Sequence, residues 1–493
     1  MKTVITKVRS ALARFDVLLI CILALALRSV KYGDAYYGTV TEFFRDMLVL
    51  LDMTGKGTWL VAGPPASVGG MSFGPVYYYL LLPFFYIGSY RPAAVVLASA
   101  FFSVAAIFLS YKLLDLWLGR GVARLGALAM AVAMFDIQNA AYVSNPNLLP
   151  FFVVLFFYIL TRILMGQRSF LLAVGLGICL GIATQLHPTA LLLLPAVLAL
   201  VVARKRKSFS WQDLLIAGVT ATISYLPYLF LQVRNSFQDY QRVGELGVHS
   251  FGWIKFPSVQ VVVVFWDSLF FFRNNYFNFP EINRGLYLTL LPFYFVIILL
   301  LWWTWRVSKT LRIPVPITPE GKFLLTGWIT LGTAMLLFYQ GKVPHFYFLV
   351  LWPLPAFFLA WLVYWLAVNR SWLAKYVFGL FLFVQFIHIF YFFDTQFRRQ
   401  YDHTDMLNFF QRIRADAESR SFNIISDMYN TNQFLYYSRL AGLRGESPQA
   451  DVLYLVRDAE IEESIVPNPE HYLEVSRFSE GPLAAVKYER RDD

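Results

Sequence analysis

Long apolar runs separated by short polar turns fill most of the first 393 positions of the chain. The first run covers Phe15–Val30, and the next full-length run covers Pro92–Leu114. These runs are too long for the strands of a membrane barrel, and they do not alternate apolar with polar residues. Because helices satisfy their own backbone hydrogen bonds in lipid, the pattern predicts an all-α polytopic membrane protein with about 11 spans.

Two further apolar segments are too short to cross a membrane. The apolar part of Gly74–Gly88 is about fourteen residues long, whereas a spanning helix needs roughly 20, and it contains Pro83. The segment Val259–Phe272 is similarly short. Both are predicted to be helices that are interfacial or re-entrant.

The composition changes to that of a soluble protein from Asp394 onward. Residues 1–393 therefore form a predicted membrane module, and residues 394–493 form a small α/β domain. The elements predicted in this domain are helices at Thr404–Ala417 and Gln433–Leu440 and strands at Phe422–Ile425 and Val452–Val456.

The chain has 42 Lys and Arg residues against 31 Asp and Glu residues, a formal net charge of +11. Its basic residues lie between apolar runs, as in Arg204–Lys207, rather than on one soluble face, which argues against nucleic acid as a partner. If the N-terminus is cytoplasmic and Gly74–Gly88 does not span, nearly every basic cluster obeys the positive-inside rule. Residues 31–90 and 394–493 then lie outside the cytoplasm. We expect a multi-pass protein of the inner or plasma membrane.

Several kinds of chemistry are disfavoured by the motifs. Cys21 and Cys179 lie in apolar runs, so neither a disulfide nor a thiolate metal site is expected. The chain has no G-x-x-x-x-G-K-[ST] motif and no G-x-G-x-x-G motif after a strand, which argues against chemistry driven by ATP. Its His and carboxylate residues do not have the spacing of metal ligands.

The first polar interval concentrates charged side chains. Glu42 and Asp46 are four residues apart, so they share one face of a helix, with Arg45 between them. An ionised Asp46 at a membrane surface can take a proton from a hydroxyl and act as a general base. The alternative is an exposed carboxylate paired with Arg45, and the spacing favours neither. For Glu42 and Asp52 the spacing favours the exposed alternative.

A loop rich in glycine, proline and tyrosine follows at Gly63–Tyr79. Glycines allow a backbone to approach a ligand, prolines restrict its shape, and tyrosines offer ring faces with hydroxyl tips. These properties suit a sugar or a lipid headgroup, and Tyr77 is our candidate ligand residue. The alternative is an aromatic belt at the membrane interface, which we favour for Tyr78.

Polar turns on the same predicted side supply further candidates. Asparagines at the start of a helix either bind an anion or cap the helix. A histidine at a turn is more often structural than a ligand. Basic residues at this depth either bind a lipid phosphate or anchor the helix at the membrane surface. The binding candidates are Asn145, Asn147, Gln185, His187, Arg234, Lys342 and His345.

The ordered motifs TEFFRDM, GPPASVGGMSFGPVYYYLLLP, SNPNLLPFF, TQLHPTALLLLP, LPYLFLQVRNSF and HFYFLVLWP resemble those of GT-C-type glycosyltransferases that use polyprenyl-phosphate sugars. The likeness is greatest to prokaryotic relatives of the protein mannosyltransferases and of the aminoarabinose transferases acting on lipid A. It extends from about residue 15 to about residue 420.

This resemblance implies a fold and an activity. A monosaccharide would move, with inversion, from a polyprenyl phosphate to a hydroxyl of an acceptor protein, lipid or glycan on the non-cytoplasmic face. By position, Asp46 is the base and Arg45 lies beside it, while Glu42 occupies the place where relatives often have another Asp. We favour Asp46 over Glu42. Lys342, His345 and Arg234, in that order, are candidates to bind the phosphate.

No cofactor is expected, although a transient divalent cation at Glu42 and Asp46 stays open. Two other functions compete with this one. A lipid-linked oligosaccharide transferase or ligase would also have its active site outside the cytoplasm. A transporter or flippase would have inverted repeats and charge near the membrane midplane, whereas the charges here gather at one face.

Overall fold

The computed structural model describes residues 15–29, 41–66, 70–141, 143–242, 317–339, 345–397, 403–417, 420–426, 431–443, 450, 452–458, 472–480 and 483–490. The predicted segment Val259–Phe272 and the candidate Lys342 lie outside these residues. Helices dominate the part before residue 400. They are α1 Asp16–Ser29, α2 Thr41–Lys56, α3 Val76–Ile87, α4 Pro92–Leu118, α5 Arg120–Val132, α6 Met134–Ala141, α7 Leu149–Leu164, α8 Phe170–Leu186, α9 Pro188–Arg204, α10 Trp211–Arg234, α11 Pro319–Phe338, α12 Pro353–Asn369 and α13 Ser371–Phe397.

Local sequence signals set several helix ends. The Ser210 hydroxyl accepts a hydrogen bond from the Asp213 backbone, and the Asp213 side chain accepts one from the Ser210 backbone, so a capping box starts α10. Proline begins α4, α9, α11 and α12, where its missing N–H has no cost. Short 3-10 helices at Asn145–Leu148 and His345–Val350 precede α7 and α12.

Within the described residues, five helical segments are long and apolar enough to cross a membrane, and a bent pair of helices adds a sixth. Four shorter apolar helices accompany them. The fold class predicted from the sequence is confirmed. The total of about 11 spans stays a prediction.

Helix α3 is the short apolar helix predicted within Gly74–Gly88. Its 12 residues extend over about 18 Å, well short of the roughly 30 Å of hydrocarbon in a bilayer. The chain then turns through Ser89 and Tyr90, which have positive φ values of 55° and 64°. Helix α4 starts at Pro92. Among the described helices, the first that is long and apolar enough to cross a membrane therefore begins after this short helix.

Helices α5 and α6 form the bent pair, with 53° between their axes. A break in a helix leaves carbonyl and N–H groups unpaired. Arg28 of α1 donates to the carbonyls of Met130 and Ala131 at 3.1 and 2.9 Å. On the other side of the break, the Gln385 side chain accepts from the Met134 N–H at 2.8 Å. Side chains from two other helices therefore stabilise the break.

The C-terminal domain, residues 403–490, contains α14 His403–Ala417 and α15 Thr431–Leu440 beside four strands. These are β1 Phe422–Ser426, β2 Val452–Asp458, β3 Tyr472–Glu480 and β4 Leu483–Arg490. The order in the sheet is β1-β2-β4-β3, with β1 parallel to β2 and the other pairs antiparallel. The two helices and two strands predicted here are confirmed. Strands β3 and β4 were not predicted.

Candidate active site

Helix α2 carries the charged residues of the first polar interval. Phe43, Met47 and Leu50 recur at helical spacing and are buried. Glu42 in the first turn and Lys56 in the last turn complement the helix dipole. The helix ends before Gly57, whose φ of 62° is in the left-handed region. Its buried side packs against α3, which brings the first polar interval onto the short apolar helix.

Asp46 lies in this contact and is only 3% exposed. Arg45 donates to its Oδ1 atom twice, from Nε at 2.9 Å and from Nη2 at 2.8 Å. The hydroxyl of Tyr78 donates to the same oxygen at 2.9 Å. Every hydrogen bond of ordinary geometry that the described residues make to this carboxylate ends on Oδ1. The Oδ2 atom holds no such bond in the part of the chain that the structure describes.

Burial has the largest influence on the Asp46 carboxyl and raises its pKa, because it disfavours the charged form. The charge of Arg45 and the hydrogen bonds from Arg45 and Tyr78 oppose this effect. The balance raises the pKa from its ordinary 3.8 to about 6. At neutral pH the group is mostly ionised, with a basicity suited to taking a proton.

Tyr77 and Tyr78 of α3 line the same contact. The Tyr77 and Tyr78 rings lie 5.3 Å apart, and both residues are buried, at 1% and 3% exposure. The interpretation of Tyr78 as part of an aromatic belt is wrong, because its hydroxyl binds Asp46 instead of facing lipid headgroups. The Tyr77 hydroxyl is buried without a hydrogen bond of ordinary geometry among the described residues. It lies close enough to Asp46 to lower the pKa of that carboxyl.

The other two acids of α2 differ from Asp46. Glu42 is exposed, one turn before Asp46. Asp52 is half-exposed and pairs with Lys56 at 2.9 Å and with Arg439 of the C-terminal domain at 3.2 Å. Asp46 is therefore the buried acid of this helix, and the interpretation of it as an exposed carboxylate is wrong.

The loop rich in glycine and proline folds back on itself before α3. The Gly63 N–H donates to the Phe73 carbonyl at 2.8 Å, and the Phe73 N–H donates to the Pro64 carbonyl at 2.9 Å. From α10, the Tyr228 hydroxyl donates to the Ser72 carbonyl at 2.9 Å. A Cβ atom at Gly74 would collide with the side chain of Gln185, so a larger residue here would have to displace that side chain.

The predicted turns converge next to this loop. His187, between α8 and α9, is 2% exposed, and its Nδ1 atom lies 2.8 Å from the Thr189 hydroxyl. The rings of Phe73, Phe346 and Tyr347 surround it at 6.3, 5.6 and 4.9 Å. The loop, the α8–α9 turn and the 3-10 helix before α12 therefore meet at one histidine.

Amide side chains hold these turns together. Asn145 donates to the Leu186 carbonyl at 2.6 Å, and Asn147 donates to the Asn139 carbonyl at 2.8 Å. The caps of the 3-10 helix and of α7 are Ser144 and Leu148, so the helix-capping alternative for the asparagines is wrong. Gln185 donates to the Ser224 carbonyl at 2.9 Å. Its Oε1 atom is buried with no hydrogen bond among the described residues.

Of the three basic candidates for phosphate binding, the described residues include only the side chain of Arg234. Arg234 is exposed at the C-terminal end of α10. His345 begins a 3-10 helix, and its side chain lies outside the described part of the chain, as does Lys342. The sequence analysis missed Arg242, which donates to the Gly70 carbonyl of the loop. Its position soon after Arg234 in the sequence was the available signal.

Among the described residues, no three His, Cys, Asp or Glu side chains converge as they would around a metal ion. Metal independence stays a prediction.

The fold is similar to that of two solved proteins, ArnT and AglB. No protein-family model matches the chain, and no curated protein matches it in sequence. Among solved structures, ArnT from Cupriavidus metallidurans in the apo state is similar, with a TM-score of 0.56 at 13% identity, over 96% of this chain and 97% of that protein. The structure of ArnT bound to undecaprenyl phosphate has a TM-score of 0.52 at 13% identity, over 97% of both chains.

An archaeal relative in fold is larger. The oligosaccharyltransferase AglB from Archaeoglobus fulgidus, in complex with an inhibitory peptide and a dolichol-phosphate, has a TM-score of 0.52 at 11% identity. The match covers 91% of this chain and 70% of AglB.

Proposed function

We propose that this protein is a membrane glycosyltransferase that moves a monosaccharide from a polyprenyl-phosphate donor to an acceptor hydroxyl, with inversion. The observation that carries the proposal is the buried Asp46 carboxylate, held through Oδ1 by Arg45 and Tyr78, on a GT-C fold. ArnT and AglB were each solved with a polyprenyl phosphate or a dolichol-phosphate, and this supports a lipid-phosphate donor.

The proposed reaction is a single displacement. The acceptor hydroxyl gives its proton to Oδ2 of Asp46 while its oxygen attacks the anomeric carbon of the donor sugar. The bond from that carbon to the phosphate oxygen breaks, and the electron pair leaves with the polyprenyl phosphate. Attack from the face opposite the leaving group inverts the anomeric carbon. A phosphate anion is a good leaving group, so no general acid is needed.

The two oxygens of Asp46 have different tasks in this mechanism. Arg45 and Tyr78 keep Oδ1 in place and orient the carboxylate, so Oδ2 can receive the proton without a rotation of the side chain. Tyr77 brings a buried hydroxyl to the same carboxylate, and we assign it to a hydrogen bond with the bound substrate.

The donor phosphate needs positive charge around it. Lys342, His345 and Arg234 remain our candidates, and Arg242 joins them. The convergence of the loop, the α8–α9 turn and the 3-10 helix at His187 supports a binding region beside α3. Asn145, Asn147 and Gln185 shape this region by holding its turns.

We place this site on the non-cytoplasmic face of the inner or plasma membrane, in accordance with the positive-inside rule. No resident metal takes part, and a transient divalent cation beside Glu42 and Asp46 is the alternative. A lipid-linked oligosaccharide transferase is the second candidate function, supported by the likeness to AglB. The nearly complete coverage of both chains in the match to ArnT favours the monosaccharide donor.

A donor panel tests the proposal. Purified protein is mixed with polyprenyl phosphates carrying different single sugars and with a lipid-linked oligosaccharide, and thermal unfolding and sugar release are measured. One single-sugar donor is expected to raise the unfolding temperature and to release its sugar when an acceptor is present. Protection by the oligosaccharide donor alone would favour the second candidate. Sugar release from none of them, with donor, acceptor and divalent cation varied, would contradict both.

A further inference from the structure

The C-terminal domain touches the helix that carries Asp46. Helix α15 packs along α2. The ring of Phe44 lies 5.7 Å from the ring of Tyr436 and 6.0 Å from the ring of Tyr437, and all three residues are fully buried. An aromatic cluster of this kind provides a large buried area with a defined geometry.

Polar contacts extend this aromatic cluster at both ends. The Tyr436 hydroxyl donates to the Tyr90 carbonyl, in the turn between α3 and α4. Arg439 pairs with Asp52 at 3.2 Å, two turns along α2 from Phe44. Helix α15 therefore contacts α2, which carries Asp46, and the turn that follows α3, the helix that carries Tyr78.

The two sides of α2 have different neighbours. Phe44 and Asp52, eight residues apart, share the side that faces α15. Asp46 lies roughly 200° around the helix from Phe44, where Tyr78 of α3 binds it. Helix α2 is therefore held between α3 on one side and α15 on the other.

We propose that α15 of the C-terminal domain positions the Asp46 carboxylate by pressing α2 against α3, with Tyr436 and Tyr437 as the main positioning residues. The inference rests on the proposed function, because it assigns Asp46 as the base. It gives the C-terminal domain a role in the chemical step. Both tyrosines contact the ring of Phe44, roughly 200° around α2 from Asp46, so their action passes through Phe44 and the helix backbone.

Loss of this support has a specific kinetic signature. A base displaced by about 1 Å reduces a rate up to a hundred-fold, whereas the residues proposed to bind the lipid phosphate do not belong to α2. Tyr436→Ala is therefore expected to lower kcat by about ten-fold or more and to change the donor KM by less than about three-fold. Tyr436→Phe keeps the ring against Phe44 and is expected to restore most of kcat.

The pH profile gives a second readout. Looser packing of α2 lets water reach Asp46, so the acid limb of kcat should move from about pH 6 toward the ordinary carboxyl value in Tyr436→Ala. A role in stability alone would not move this limb. The charged and titratable groups that face Asp46 or flank it on α2, α3 and α15 are Arg45, Glu42, Tyr77, Tyr78, Tyr79, Asp52, Lys56, Tyr436, Tyr437 and Arg439.

The experiment measures kcat, donor KM, the acid limb and hydrogen exchange of α2 in the full-length protein. Tyr472→Ala, an aromatic truncation on β3 of the same domain, is the matched control and should behave as wild type. Faster exchange in α2 with a lower kcat and a shifted limb in Tyr436→Ala supports the proposal. Wild-type exchange in α2, or a wild-type kcat despite faster exchange, overturns it.

A second variant covers failure of the domain to fold. If Tyr436→Ala loses protection throughout the sheet, Phe44→Leu tests the same contact from α2 and leaves α15 intact. It is expected to lower kcat and shift the acid limb, and wild-type behaviour would overturn the proposal. If the wild-type protein releases sugar from no donor, the proposed function fails. Hydrogen exchange in α2 then still shows whether α15 holds the helix.

Discussion

Two regions of this protein place an arginine near a buried aspartate, and the hydrogen bonds of the arginine differ between the two regions. In the α2–α3 contact, Arg45 donates twice to Oδ1 of Asp46. At the α5–α6 break, Arg28 lies near Asp136 and the two charges attract each other. The hydrogen bonds of the Arg28 guanidinium to the described residues, however, go to the carbonyls of Ala24, Met130 and Ala131 and to the Ser103 hydroxyl.

The difference separates the proposed active site from a structural site. At the break, the arginine donates hydrogen bonds to backbone carbonyls that the bend leaves unpaired, and its removal would leave these buried carbonyls without a donor. At α2, the arginine orients the carboxylate side chain of Asp46 and does not pair backbone groups at a helix break. Burial of a charge alone therefore does not identify an active site. The hydrogen-bond partners of the arginine distinguish the two kinds of site.

The largest expected effect is that of Asp46→Asn on catalysis. Removal of the general base should lower transfer by about 10²- to 10⁴-fold, because an amide cannot take the proton. Donor binding should stay nearly unchanged, as measured by thermal protection with the best donor. Transfer at the wild-type rate would reassign the base, with Glu42 as the next candidate.

The matching change at the break is Arg28→Ala. It leaves backbone carbonyls unpaired and the charge of Asp136 uncompensated, so unfolding should become easier by about 3–5 kcal/mol. Thermal unfolding in detergent measures this, with Asp46→Asn as the control that should unfold near the wild-type temperature. Equal stability of the two variants would contradict the distinction between the regions.

A smaller effect is expected of Tyr78→Phe on the pH profile. In the wild type, kcat should fall as the pH drops through about 6, because protonated Asp46 is no longer a base. The Tyr78 hydrogen bond favours the ionised form and lowers this pKa. Its loss should therefore move the acid limb upward by about one pH unit.

The control for Tyr78→Phe is Tyr79→Phe, whose hydroxyl bonds the backbone of Leu60 at 3.0 and 2.8 Å instead. Its acid limb should coincide with that of the wild type. A limb that moves equally in both variants would show that Tyr78 does not act through Asp46.

The smallest effect is expected of Glu42→Gln. Glu42 is exposed at the start of α2, so loss of its charge should change kcat by less than about three-fold, as for other exposed charges. Steady-state transfer assays measure this beside Asp46→Asn. A loss comparable to that of Asp46→Asn would make the two acids a functional pair.

Much of the fold follows from local patterns. The length of apolar runs is a property of consecutive residues, so it predicted a helical membrane protein and a helix too short to span before Pro92. The helices and strands predicted between residues 403 and 458 were confirmed, because they too follow from patterns of consecutive residues. Strands β3 and β4 were missed because charged residues such as Glu474 and Arg477 interrupt their apolar alternation.

The site was only partly accessible from the sequence. The spacing of Glu42 and Asp46 identified the helix and its acids, but it left an exposed carboxylate and a base equally open. The role of Tyr78 depends on the packing of α3 against α2, which separate stretches of sequence do not reveal. The same is true of Arg28 and Gln385, which come from α1 and α13 to meet at one break.

The sequence by itself determined that this chain forms apolar helices with a short helix before Pro92 and a small α/β domain, because these depend on the type and order of neighbouring residues. Only the tertiary structure decided that Asp46 is buried with Oδ1 bound, that His187 lies among three aromatic rings, and that α15 rests on α2. Burial and hydrogen-bond partners depend on which distant segments meet. Which segments meet is determined by the free energy of packing summed over the whole molecule.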